Sequence, residues 1–295
     1  MSIASRRIGW IGTGVMGKSM CKHLITSGCT AFVYNRSAEK AKELADLGAT
    51  LCSSPAEVAA NSDVVFTIVG FPQDVEEVIL GEKGVIANAK EGTIVVDMTT
   101  STPSLAKGIA EVAAANNMAA LDAPVSGGDL GAREGTLAIM VGGDSATYAA
   151  MLPFFEAMGK NIQRMGEAGA GQHCKMANQI LIAGTMIGTV ESLLYAAKTG
   201  MDLDQVIDVI GSGAAGSWSI NNLGRRIAKK DFDPGFFIKH FVKDMGIALE
   251  EAASMNLSLP GLAMANQFYV AAKAQGLENL GTQGLYKVFE AMNQA

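Results

Sequence analysis

Short apolar runs alternate with amphipathic stretches through the first half of the chain. Runs at 8–11, 31–34, 64–69, 93–97, 119–122 and 137–141 have the length and side chains of buried strands. Helical patterns fall between them, as at 17–27 and 38–47, and Ser54-Pro55 reads as an N-cap with proline opening the next helix. A further short strand is expected near 162–165. Strands and helices in alternation predict a parallel sheet covered on both faces. The pattern then changes. Gly166, Gly169 and Gly171 read as a flexible joint, and beyond them helical periodicity alone recurs, at 176–199, 203–211, 218–229, 241–255, 262–275 and 283–292. The expected organisation is a doubly wound, mostly parallel α/β Rossmann domain over 1–165, followed by an all-α domain over 166–295.

Composition narrows what such a chain does. Its 295 residues suit two domains, and 49% hydrophobic residues supply a large core. Charged residues make up 18% and the net charge is −6 without a basic block, which argues against nucleic acid as a partner. A surface so sparsely charged is expected to be partly covered by other subunits. The segment 176–197 imitates a membrane span, but Asn178, Gln179, Thr185, Thr189 and Glu191 interrupt it, so a buried helix apolar on several faces is expected and no membrane. Four cysteines without a CxxC pair and three histidines offer no zinc cluster, so no metal is expected. The same cysteines, with a polar start from Met1 to Arg7, predict a reduced, cytoplasmic protein.

The strongest motif is Ile8-Gly9-Trp10-Ile11-Gly12-Thr13-Gly14-Val15-Met16-Gly17. It follows an apolar run and opens a helix, the context in which a GxGxxG turn binds a dinucleotide. Gly12 permits the tight turn, Gly14 lets backbone approach the pyrophosphate, and Gly17 lets helix pack on strand. The loop residues Thr13, Val15 and Met16 lead into a helix N-terminus that faces the phosphates. The second strand ends Val33-Tyr34-Asn35-Arg36-Ser37. It lacks the carboxylate that would hold the ribose hydroxyls of NAD and repel a 2′-phosphate, whereas Arg36 suits that phosphate and Asn35 and Ser37 add neutral hydrogen bonds. NADP is therefore favoured, with NAD still possible. Val69-Gly70-Phe71-Pro72 and Thr100 follow later strands and are expected to flank the two riboses.

Three further segments, with the fingerprint, resemble the 3-hydroxyisobutyrate dehydrogenase family of β-hydroxyacid dehydrogenases. They are Asp122-Ala123-Pro124-Val125-Ser126-Gly127-Gly128 with Gly131-Ala132 and Gly135-Thr136-Leu137; Gly169-Ala170-Gly171-Gln172-His173-Cys174-Lys175-Met176-Ala177-Asn178-Gln179; and Phe232-Asp233-Pro234-Gly235-Phe236 leading to Lys243-Asp244. The match spans essentially the whole chain. The resemblance implies oxidation of a small anionic 3-hydroxy acid to its semialdehyde, or the reverse reduction, with NAD or NADP. It implies that Lys175 is catalytic, that Ser126, Gly127 and Gly128 bind substrate, that Lys243 and Thr100 lie at the cofactor, and that the chain forms a homodimer or homotetramer.

Elementary chemistry points the same way. Hydride leaves a carbinol carbon only as the hydroxyl loses its proton, and without a metal a side chain must take it. Lys175 begins a long helix where a cleft is expected, and burial with a second ammonium from Lys243 would favour its neutral amine. Asn178, three residues on, shares its helical face, and Gln179 is one position further. Residues 126–128 can cradle a carboxylate. His173 is expected to point off the Lys175 face, His240 to pack near the cleft wall, and Cys174 to be a core thiol. Trp218 either closes the pocket or belongs to a helix core. Lys243-Asp244 is either part of the site or a surface ion pair. By the same resemblance, the Ser126-Gly127-Gly128 cradle with Gly131-Ala132 looks more like members that act on 3-hydroxyisobutyrate or tartronate semialdehyde. Glyoxylate or succinic semialdehyde reduction is the alternative, against which Gly128 argues, since such members of the family tend to carry Thr there. An imine reductase or a non-catalytic NADP-binding scaffold are further alternatives against which Lys175 argues.

Overall fold

The computed structural model describes residues 3–293. Met1 and Ser2, the start of the polar leader, and the last two residues of the helical half lie outside the described residues. The chain forms two compact units, residues 1–175 and 176–295.

The first unit is built on nine strands: β1 (Arg7–Ile11), β2 (Thr30–Tyr34), β3 (Thr50–Leu51), β4 (Val64–Thr67), β5 (Ile94–Asp97), β6 (Ala119–Asp122), β7 (Val125–Ser126), β8 (Leu137–Gly142) and β9 (Gly159–Gly166). They are ordered β3-β2-β1-β4-β5-β6-β8-β7, with β9 beside β8. Pairing is parallel from β3 through β6, antiparallel where β6 and β7 meet β8, and parallel again between β8 and β9. This is the Rossmann order, and its switch point lies between β1 and β4, where the chain leaves the sheet in opposite directions. The sheet is buried on both faces. Ile8, Trp10, Val33, Phe66 and Val96 point into one apolar cluster, and Ile11, Val65 and Val95 into the other, as the two-residue period of a strand requires. Trp10 stacks on Phe66 with ring centroids 5.4 Å apart.

The helices start where the sequence marks them. Ser54 accepts the Glu57 N–H at 3.2 Å ahead of Pro55, and Thr102 and Asp144 cap the helices Pro103–Ala115 and Ser145–Glu156 in the same way. The helix expected at 38–47 is broken into a 3-10 turn, Ala38–Ala41, and a short α-helix, Lys42–Asp46, whose Ala41 and Leu44 alone are buried.

The second unit takes the remainder of the helix Ala170–Lys198 with the helices Leu203–Ile210, Arg225–Ala228, Ile238–Ser254, Pro260–Ala274 and Leu285–Met292. Its core is Met186, Val190, Leu193, Phe241, Met245, Tyr269 and Phe289, with Phe241 edge-on to Tyr269 at 5.0 Å. The stretch expected as one helix at 218–229 begins instead with a π-helical turn, Ser219–Gly224. The helix Ala170–Lys198 is long and apolar enough to cross a membrane, with mean hydropathy 1.6. It is buried on one face and not on several: Met186 and Val190 enter the core, while Leu181 and Tyr195 are exposed.

Candidate active site

In the α/β unit the glycine loop follows β1. A Cβ on Gly12 would fall on the Ile68 carbonyl oxygen, and one on Gly17 on the carbonyl of Gly12 itself, so both positions admit glycine alone. A Cβ on Gly14 would meet no atom within 4 Å, so that side of the residue faces open space. The loop is braced from two sides. The Trp10 indole donates to the Gly12 carbonyl at 2.9 Å, and the Thr13 N–H donates to Asn35 Oδ1 at 2.9 Å, while Asn35 Nδ2 donates to the Ser37 carbonyl. Asn35 thus ties the ends of β1 and β2 together, a use that its position in sequence did not reveal.

These residues fit a dinucleotide. The helix Gly17–Thr26 has no side-chain cap and no acidic residue in its first turn, so no side chain caps its N-terminus or sets a negative charge against an incoming phosphate. The hydroxyls of Thr13 and Ser101 are buried without a hydrogen-bond partner among the described residues. Val15 is exposed and Met16 half-buried above this turn. At the end of β2 the Arg36 guanidinium is 88% exposed, and Asp74 Oδ1 lies 3.7 Å from it. Asp74 also accepts the Phe71 N–H at 3.0 Å, which shapes the loop Val69-Gly70-Phe71-Pro72 after β4. The expected cofactor residues of β1, β2 and β4 thereby share one strand edge, because those strands are parallel.

The next two strand ends carry buried carboxylates, Asp97 and Asp122. Asp97 and Asp122 are partners in the β5–β6 register. Asp97 accepts from Thr67 Oγ1 at 2.8 Å and from the Thr99 N–H at 3.0 Å, and burial outweighs these bonds to push its carboxyl up to about 6. Thr99 Oγ1 in turn accepts the Val69 N–H, and Thr100 follows it, half-buried. Asp122 reaches the start of the helix Ala170–Lys198, taking the Gly169 N–H at 2.7 Å on one oxygen and the Gln172 N–H at 2.8 Å on the other. Burial raises the Asp122 carboxyl as well, and those backbone donors hold part of the rise back. The Gln172 side chain completes the clamp: its oxygen accepts the Ser101 N–H at 3.0 Å and its Nε2 donates to the Thr99 carbonyl at 2.8 Å. The glycine-rich segment expected as a flexible joint is therefore pinned to β5 and β6.

Lys175 comes one turn after Gln172 and closes the α/β unit, 6% exposed. Cys174 beside it is half-buried and not a full core thiol, and burial raises its thiol. His173 lies two positions from Lys175, about 200° around the helix at 100° per residue, and so leaves its face. Ser126 ends β7, half-buried and paired with Ala138. Gly127 and Gly128 follow with φ of 129° and 63°, conformations that favour glycine, and Gly128 has no atom within 4 Å of where a Cβ would stand.

In the helical unit Asn178 and Gln179 meet Asp244. Asn178 Nδ2 donates to Gln179 Oε1 at 2.7 Å, and Gln179 Nε2 to Asp244 Oδ2 at 2.6 Å. Lys243 Nζ lies 3.0 Å from Asp244 Oδ1, and this pair is buried, not a surface one. His240 packs on Phe236 and Phe237, with centroids 6.5 and 5.7 Å away. Trp218 is 54% exposed, which removes the helix-core alternative for it.

A glycine cradle with open space at its second position, an uncapped helix and a parallel strand edge define a nicotinamide-dinucleotide-dependent oxidoreductase of Rossmann type. Residues 7–166 match the family described as the NAD binding domain of 6-phosphogluconate dehydrogenase, and residues 169–289 that described as the NAD-binding domain of NADP-dependent 3-hydroxyisobutyrate dehydrogenase. The chain belongs to the 3-hydroxyisobutyrate dehydrogenase family of NAD(P)-dependent 3-hydroxyacid dehydrogenases. It is 53% identical to a probable 3-hydroxyisobutyrate dehydrogenase-like protein of Arabidopsis thaliana, over 98% of this chain and 87% of that one. It is 38% identical to the 2-hydroxy-3-oxopropionate reductase of Escherichia coli, over 97% and 98%. The crystal structure of a 3-hydroxyisobutyrate dehydrogenase from Salmonella typhimurium superposes with a TM-score of 0.89 at 27% identity, covering 97% of this chain and all of the other.

Proposed function

We propose that the enzyme interconverts a small 3-hydroxy acid of the 3-hydroxyisobutyrate or tartronate semialdehyde type with its semialdehyde, using NADP in preference to NAD and Lys175 as general acid and base. The observation that carries the reading is the enclosed Lys175 ammonium on a helix clamped to the ends of β5 and β6. The bound dinucleotide supplies or accepts the hydride. In reduction, Lys175 Nζ gives a proton to the substrate oxygen as the aldehyde carbon becomes a carbinol; in oxidation it takes the hydroxyl proton back. An amine surrounded by protein delivers that proton to the substrate in preference to bulk water. Backbone N–H groups at Gly127 and Gly128 hold the substrate carboxylate, with Ser126 beside them. The exposed Arg36 and the lack of a carboxylate at the end of β2 support the 2′-phosphate.

The test is a panel of semialdehydes and hydroxy acids assayed with NADPH, NADH and their oxidised forms, beside Lys175→Ala. Turnover on 3-hydroxyisobutyrate or tartronate semialdehyde is expected, with kcat down on the order of 10²–10⁴-fold in the variant. Full activity of the variant removes Lys175 from the chemistry. A preference for glyoxylate or succinic semialdehyde moves the substrate class, and cofactor binding without any turnover makes the chain a scaffold.

A further inference from the structure

Asn178, Gln179, Lys243 and Asp244 form a connected polar chain beside the apolar core of the helical unit. Gln179 is 1% and Asp244 0% exposed. Enclosing an ion pair and two amides costs stability that apolar side chains of the same size would not cost, so the arrangement calls for a use.

Its use lies in direction. An amide has an oxygen end and a nitrogen end of nearly equal shape, so packing alone does not decide which end of Gln179 or Asn178 faces which neighbour. Asp244 decides it. A carboxylate paired with an ammonium accepts and cannot donate. Gln179 must therefore turn its NH₂ toward Asp244, and so turns its own Oε1 toward Asn178. Asn178 must answer with its own NH₂, and the end of that amide turned away from Gln179 is then Oδ1. Asn178 follows Lys175 by three residues on one helix and shares its face. An oxygen there accepts from an ammonium and from an alcohol, both of which donate; the reversed amide would set NH₂ against them.

We propose that Asp244 is a positioning residue that acts through Gln179 to fix the polarity of Asn178, so that Asn178 presents Oδ1 to the Lys175 ammonium and the substrate hydroxyl. The proposal rests on the reading of Lys175 as general acid and base.

The test reverses the relay. Asp244→Asn keeps the shape at 244 but lets the amides run in either direction. Asn178→Asp keeps an oxygen toward the site but opposes two oxygens at Gln179. In the double variant Gln179 turns over: its Nε2 donates to the carboxylate introduced at 178, and its Oε1 accepts from the amide introduced at 244. Each single variant should lose about 10-fold or more in kcat, with the substrate KM changing less, because the acceptor matters most as charge develops. The basic limb of the kcat–pH profile should move to lower pH in Asp244→Asn, where the Lys175 ammonium loses a dependable acceptor. The double variant should regain most of the kcat lost by Asp244→Asn and return the limb to higher pH. Should Asp244→Asn fail to fold, Gln179→Met cuts the relay while leaving the ion pair, and should show the same kcat loss and limb shift.

A merely structural role predicts lower melting temperature and weaker NADPH binding with the pH limb unmoved, and that outcome overturns the proposal. So does a double variant no better than its parents. Lys175→Ala run alongside separates the two readings. If it is inactive while Asp244→Asn and Gln179→Met keep parental kcat and pH profile, the relay alone is wrong; if it is fully active, the acid–base reading falls and takes the relay with it.

Discussion

Replacing Gln172 with Met should loosen the base of the helix that carries Lys175 by a calculable amount. The Gln172 amide is fully enclosed and satisfies two buried backbone groups, the Ser101 N–H and the Thr99 carbonyl. Met fills much of the same volume and satisfies neither. A buried group left without a partner costs roughly 1–3 kcal/mol, so the pair amounts to about 2–6 kcal/mol. For a unit of this size that corresponds to a melting temperature lower by about 4–24 °C. The loss is bounded because Asp122 accepts from backbone N–H groups, which the substitution leaves in place. Gln172→Glu sharpens the comparison. Its carboxylate accepts from Ser101, has nothing to donate to Thr99, and adds a third buried acid near Asp97 and Asp122. A buried acid binds its proton more tightly in the folded chain than in the unfolded one, so this variant should recover stability as the pH falls from 8 to 5, where its hydroxyl can also donate to Thr99. Calorimetry on cofactor-free protein at one concentration reads both effects, since ligand and subunit association shift melting on their own. A Met variant that melts with the parent, or a Glu variant that gains no more than the parent between pH 8 and 5, would refute the clamp.

Asp97 makes folding itself pH-dependent. Its carboxyl is raised from 3.8 to about 6, so the folded chain holds the extra proton and the contribution of Asp97 to stability is fully present below pH 4. About 3 kcal/mol should be lost as the pH rises through 6, with no further change above, and Asp97→Asn should abolish that slope in denaturant titrations against pH. Arg36→Ala should raise the NADPH KM by roughly 5- to 30-fold, the worth of about 1–2 kcal/mol for a solvent-exposed guanidinium–phosphate contact, while NADH kinetics stay put. Parallel loss with both cofactors would show that Arg36 does not read the 2′-phosphate.

How much of this was legible in the sequence depended on the range of the interactions. The long parallel strands announced themselves because both faces are buried and the apolar run is continuous. β3 and β7, two residues each, leave no periodic trace. The π-helical turn Ser219–Gly224 was missed for a related reason, since its pattern differs little from α over one turn. The glycine loop was readable because strand, turn and helix are adjacent in the chain. The clamp was not: Asp122 meets Gly169 across 47 residues, and Gln172 meets Thr99 across 73. Asp244 adjoins Lys243 and therefore reads as an ordinary ion pair until its burial is known; an acid on the apolar side of the helix Ile238–Ser254 was the one available hint.

The three glycines of the nucleotide loop answer to different demands. Gly12 and Gly17 are required by neighbours that are already part of the polypeptide, so exchanging either would disturb the unit even where no nucleotide is ever met. A Cβ at Gly14 would meet nothing within 4 Å, so an alanine there is tolerable to the empty chain. A descendant that had abandoned redox chemistry but kept its architecture would hold the outer two and drift at the middle one, which makes that position a gauge of whether selection for the ligand is still in force.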